Sequence, residues 1–127
     1  DNRFEEYLEA LCRVQRGETS AANKMFDHVA GYTQAHPGEG GVNQLFGALA
    51  TRTLGRTAQA TVIADRWQKE STSQVSKWMT AVFQGNPSSM MDSEKELVGA
   101  SGVSLLGLEK IDQDAALVVE VSRLVQF

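Results

Sequence analysis

The chain has 127 residues, 42% hydrophobic and 22% charged, with a formal net charge of −4 and a pI near 5.1. That size and balance suit one folded domain with a real core, and an acidic chain without a Lys/Arg run is not a general nucleic-acid binder. The single cysteine, Cys12, excludes an intrachain disulfide, and no apolar run reaches the roughly 18 residues of a membrane span, so membrane insertion is not expected.

Asn2 and Glu5 have the spacing of a capping box. Phe4, Tyr7, Leu8 and Leu11 follow as an apolar stripe at helical spacing. Gly17 ends that helix, and Thr19 or Ser20 is placed to cap the next. The second stripe is Ala22, Met25, Phe26 and Val29, fading near His36 because Pro37 disfavours helical geometry before it. Pro37 to Gly41 is the clearest loop in the chain. Val42, Leu45, Phe46 and Leu49 form the third stripe, Gly55 and Arg56 break it, and Ala60, Ile63, Ala64 and Trp67 form the fourth.

These two helix pairs superpose on a shift of 38 residues, the distance from Gly17 to Gly55. Ala10/Ala48, Leu11/Leu49, Thr19/Thr57, Ala22/Ala60 and Asp27/Asp65 are identical on that shift. Matching stripes, turn glycine and threonine together read as an internal repeat. A third copy begins with Ser71–Ser73 as caps and Val75, Trp78, Met79 and Val82 as its stripe. Gly85, Asn86 and Pro87 stop that helix, and Met90 and Met91 are expected on a Ser-rich loop. Ser93 and Glu96 suggest a further capping box, with a short helix broken at Gly99, Ser101 and Gly102. One more short helix is expected around Val103–Leu108. A last one is capped by Asp112 or Asp114, with Leu117, Val118, Val121, Leu124 and Val125 as its stripe. The β-branched content makes a strand the competing reading there. The acidic tail, Glu109, Asp112, Asp114 and Glu120, reads as a solvated helix face.

The expected architecture is therefore a single all-α domain over 1–127. Stacked antiparallel helical hairpins cover about 3–36, 42–70 and 73–100, with C-terminal helices over 102–126. A compact helical bundle is the alternative.

Little catalytic chemistry is legible. His28 and His36 lie eight residues apart, without the spacing of a metal pair, and read as surface or capping residues. Cys12 lies beside the first stripe and reads as a half-buried, inert thiol. Glu9 and Arg13 have the spacing of a helix-surface ion pair. The glycines of the Pro37–Gly41 loop follow no strand and precede no Lys-Ser/Thr, so they read as a connection rather than a phosphate cradle. Trp67 and Trp78 are expected to be core anchors. No catalytic, metal-binding or cofactor-binding residues are assigned.

Paired amphipathic helices with glycine in the turn, a small alanine early in the second helix and Pro37 after the pair resemble tetratricopeptide repeats. The resemblance covers residues 3 to about 85. It implies a protein-interaction module that holds a partner segment in a groove lined by the first helix of each pair. Small chaperones of bacterial secretion-apparatus subunits have this look. Carried onto this sequence, the groove positions are Asn2, Glu5, Glu9, Cys12 and Arg13 in the first hairpin, and Asn43, Gly47, Ala50 and Thr51 in the second. The expected function is a non-enzymatic adaptor or small chaperone with a protein partner, homo-oligomerisation being compatible with it. A compact-bundle regulator, pilot or immunity-type protein is the alternative, and an enzyme with an unrecognised pocket the third reading. No signal peptide is read. A cytoplasmic location is favoured, with a mature exported protein as the other possibility.

Overall fold

The computed structural model describes residues 1–104, 117–122 and 124–127, and the regular structure among them is entirely helical. The helices are α1 (Arg3–Gln15), α2 (Thr19–Ala35), α3 (Asn43–Thr53), α4 (Thr57–Glu70), α5 (Gln74–Gln84) and α6 (Pro87–Ser104), followed by α7 over 117–122. They gather into two compact units, Asp1–Trp67 and Gln68–Phe127. Within the first, α1, α2 and α3 pack on one another. Within the second, α5 packs on α6. This is the all-α, paired-helix arrangement expected from the stripes.

The three turns inside the pairs have one geometry. Gly17 takes φ +79°, donates from its N–H to Val14 O at 3.0 Å, and is followed by Glu18 N–H donating to Arg13 O at 2.9 Å. Gly55 takes φ +80°, with Gly55 N–H on Arg52 O at 2.9 Å and Arg56 N–H on Thr51 O at 3.1 Å. Gly85 takes φ +67°, with Gly85 N–H on Val82 O at 3.1 Å and Asn86 N–H on Ala81 O at 3.3 Å. Each is a Schellman closure, which satisfies the last carbonyls of a helix and requires a left-handed residue that glycine supplies without strain. In each case the next helix starts two residues after the glycine, at Thr19, Thr57 and Pro87.

The third hairpin is therefore continuous, where the sequence suggested a loop after Gly85–Pro87 and a short broken helix. Gly85-Asn86-Pro87 ends α5 and also starts α6. Asn86 Oδ1 accepts from Ser89 N–H at 3.1 Å as an N-cap, and Pro87 occupies the first helical position, where a missing N–H costs nothing. Met90 and Met91 lie on α6 rather than on a loop, and Ser93 is mid-helix rather than a cap. Gly99 and Gly102 do not break α6, which continues to Ser104. A glycine inside a helix costs only about 1 kcal/mol relative to alanine, which a helix of this length tolerates.

Other expectations shift in register. Asn2 occupies the N-cap position of α1 without a side-chain cap bond, and Asp1 Oδ1 accepts from Arg3 N–H at 3.2 Å instead. Thr19 and Thr57 are first helical residues rather than caps. Ser73 does cap α5, accepting from Ser76 N–H at 3.2 Å. On α1, Leu8 and Leu11 are half-buried, while Arg3, Phe4, Tyr7 and Ala10 turn inward. The segment 117–122 is helical as expected, with Val118 and Val119 buried and Leu117 exposed. Residues 105–116, including the expected caps Asp112 and Asp114, lie outside the described residues.

The core of the first unit is an aromatic cluster. Phe4 and Tyr7 of α1 meet Phe46 of α3 at ring-centroid distances of 4.9 and 5.5 Å, and Tyr7 meets Phe26 of α2 at 5.6 Å. Tilted pairs at this range add attraction beyond area burial. α3 is buried around its whole circumference, from Gln44 through Thr51. Its small residues permit this. A Cβ at Gly47 would overlap the side chain of Thr33, so glycine is what lets α2 approach α3.

Tyr7 carries a testable electrostatic consequence of this packing. It is 3% exposed, and burial pushes its phenol from the usual 10 up to about 12. The folded state therefore holds the Tyr7 proton through a pH range in which the unfolded chain releases it. The resulting stabilisation is complete below pH 10 and is lost as pH rises toward about 12. The loss amounts to about 2–3 kcal/mol. Urea unfolding of the wild type and Tyr7→Phe between pH 9 and about 12 should show the wild type losing this increment relative to the variant. Parallel pH profiles would contradict the assignment.

Candidate functional site

The expected groove positions fall into two groups. On α1, Asn2, Glu5, Glu9 and Cys12 are exposed and Arg13 is half-buried. The Cys12 thiol is thus at the surface rather than half-buried. Arg13 bridges two carboxylates, Nη2 to Glu9 Oε1 at 2.8 Å and Nη1 to Glu18 Oε2 at 3.0 Å. The Glu9–Arg13 pair is the one the spacing predicted. Its guanidinium is held above its ordinary pKa chiefly by the hydrogen bond to Glu9. On α3, Asn43 is half-buried, while Gly47, Ala50 and Thr51 are buried. Thr51 donates its hydroxyl to Gly47 O at 2.7 Å, a helix-internal bond at a core position. The α1 residues thus share a surface, and Gly47, Ala50 and Thr51 lie in the core.

Both histidines sit in pairing roles. His28 Nδ1 lies 2.6 Å from Glu6 Oε2, joining α2 to α1. His36 stacks on Tyr32 at 4.1 Å, and its Nδ1 lies 3.0 Å from Tyr32 O at the end of α2. Further polar links tie α2 to the second hairpin: Arg56 to Asp27 at 2.8 Å and Gln34 to Gln59 at 3.1 Å.

The most polar interior site of the first unit surrounds Arg3, which is 2% exposed. Its Nε and Nη2 donate to the Asp1 carboxylate at 3.0 and 2.6 Å, Nη1 to Thr33 Oγ1 at 3.1 Å, and Nη2 to Glu39 O at 2.7 Å. The guanidinium carbon lies 5.1 Å from the centre of the Tyr32 ring. Burial lowers the Arg3 pKa, and nearby Tyr32 and Glu39 oppose that shift. A Cβ at Gly40, which takes φ +93°, would overlap the guanidinium. The cluster locks the Pro37–Gly41 loop to α1 and α2, with Asp1, Thr33 and Glu39 each accepting from Arg3. It is a structural lock rather than an open site.

An open site exists in the second unit. A groove of about 330 Å³ is lined by Gln68, Ser71, Thr72, Ser76, Lys77, Thr80, Ala81, Gln84, Ser89 and Ser93. On α5, Lys77, Thr80, Ala81 and Gln84 repeat at i, i+3, i+4, i+7. The same helix turns its apolar stripe, Trp78, Met79 and Val82, into the core. Ser89 and Ser93 repeat at i, i+4 on α6, facing the α5 stripe. Their short side chains leave space where leucines would close a seam.

A chain of hydroxyls leads into this groove. Ser71 Oγ donates to Ser73 Oγ at 3.0 Å, and Ser73 Oγ donates to Ser76 Oγ at 3.2 Å. Ser76 is 8% exposed and keeps its own hydrogen to give. Thr80 donates to Ser76 O at 2.9 Å. The lining side chains comprise six hydroxyls, two carboxamides and one ammonium, with no carboxylate. Such a surface can both donate to and accept from a ligand.

The sequence carried a signal for this site that the apolar stripe obscured. Lys77, Thr80, Ala81 and Gln84 have helical spacing too, and the Ser-rich stretch after Pro87 is their partner once it is read as helix. Among the described residues, no three His, Cys, Asp or Glu side chains converge as a metal site, and no helix is long and apolar enough to cross a membrane. Comparison with protein-family models, with curated proteins and with solved structures finds no match to this chain.

Proposed function

We propose that this chain is a non-enzymatic interaction module that docks an extended segment of a partner protein in the groove between α5 and α6. The observation that carries this reading is the lining itself. Hydroxyls and carboxamides supply donors and acceptors together, which is what the N–H and C=O groups of an extended main chain require. From Lys77 to Gln84 the α5 stripe is about 10 Å long at 1.5 Å per residue. That admits about three residues of extended chain at ~3.3 Å each. The three matching turns support a tetratricopeptide-like reading of the chain. Its 38-residue spacing from Gly17 to Gly55 exceeds the roughly 34 of that family. The proposed groove also differs from that family's, because it runs between the two helices of one pair.

Site-specific photocrosslinking tests this directly. A benzoylphenylalanine at Gln84 should capture one protein from the native cell extract, and one at exposed Val62 should not. Excess unlabelled wild type should compete the crosslink away, whereas Thr80→Trp, which fills the groove, should not. Equal capture from both positions, or equal competition by Thr80→Trp, would refute the docking site.

A further inference from the structure

We infer that the groove selects an acidic segment, placing an Asp or Glu side chain of the bound protein against Lys77. This rests on the docking reading above and names the chemistry of its occupant. Lys77 is exposed, lines the groove and makes no ion pair among the described residues. The other lining side chains carry no charge, although the chain as a whole has a formal net charge of −4. The lining of the groove thus carries a single positive charge on an acidic protein. A carboxylate entering it meets a hydrated ammonium that makes no ion pair among the described residues, and no like charge among the lining side chains. Ser76, 8% exposed, lines the same groove, and its hydroxyl accepts from Ser73 and can donate to an oxygen there. The Lys77 ammonium is the one charged group among the lining side chains and is the point at which a carboxylate is held. Thr80, Gln84, Ser89 and Ser93 extend from it as a neutral polar track. Charge therefore sets the register of the bound segment and the track holds its main chain.

The test is an amide-shift titration by nuclear magnetic resonance of the full chain. The probes are three blocked five-residue peptides with alternating alanine and, in turn, glutamate, glutamine or lysine, plus inorganic phosphate. The glutamate peptide should shift the amides of Lys77, Thr80 and Gln84. It should bind about fivefold more tightly than the glutamine peptide at low salt, the value of one exposed charge pair. That preference should vanish in Lys77→Gln and shrink at high salt. Equal binding of the glutamate and glutamine peptides, with the same amides shifted, would overturn acidic selection while the docking groove stands. No groove shift with any peptide would overturn both. Phosphate shifting the same amides as tightly as the glutamate peptide would overturn recognition of a protein segment.

Discussion

Replacing Arg3 with alanine is expected to destabilise the first unit by about 3–5 kcal/mol, the loss that follows when one partner of a buried ionic cluster is removed. Arg3 is 2% exposed and satisfies the Asp1 carboxylate, Thr33 Oγ1 and Glu39 O at once. Truncation strands those acceptors and also opens a void against Tyr32. Arg3→Lys should recover only part of the loss, because one ammonium cannot reproduce the planar fork that reaches three acceptors on three segments. Asp1→Asn should cost less, since the Asp1 side chain is 23% exposed and water can replace part of its role. Urea unfolding of the three variants should rank them Arg3→Ala, Arg3→Lys, Asp1→Asn in decreasing loss. An Arg3→Ala variant as stable as wild type would show that the cluster only decorates the fold.

Trp67→Ala is expected to cost about 3–5 kcal/mol as well, through a different mechanism. Trp67 is 2% exposed at the last buried position of the α4 stripe, after Ala60 and Ala64. Deleting an indole there removes its transfer free energy and leaves a cavity that packed helices cannot collapse. Trp67→Phe should restore more than half of the loss. Thermal unfolding followed by far-UV circular dichroism reads both, and an unchanged midpoint for Trp67→Ala would contradict the burial of this face of α4.

The paired-helix fold was legible because its turns depend on one residue type. Gly17, Gly55 and Gly85 each hold a positive φ that closes a helix, and the apolar stripes repeat around them. What escaped the sequence was a residue with two roles. Pro87 signals the end of one helix and the start of the next, and only Asn86 as its cap distinguishes the two. The Arg3 lock escaped for a different reason. Its partners Asp1, Thr33 and Glu39 lie before α1, on α2 and in the loop after α2, so no local pattern marks a buried arginine. Conversely, Gly47 and Thr51 were expected in a groove only because the resemblance to tetratricopeptide repeats carried its groove positions onto them. Here their smallness serves close packing, with α3 enclosed on all sides. The polar stripe of α5 was visible but had no partner while residues 87–93 read as a loop.

Docking of a partner segment in the groove between α5 and α6 predicts that filling the groove weakens binding. The most direct measurement is the affinity of the crosslink-mapped segment for wild type and for Thr80→Trp, by calorimetric titration, with the melting temperature of each as the control for folding. A filled groove should weaken binding by at least about tenfold, or roughly 1.4 kcal/mol, with the melting temperature preserved. Equal affinity of the two proteins would rule out docking in this groove.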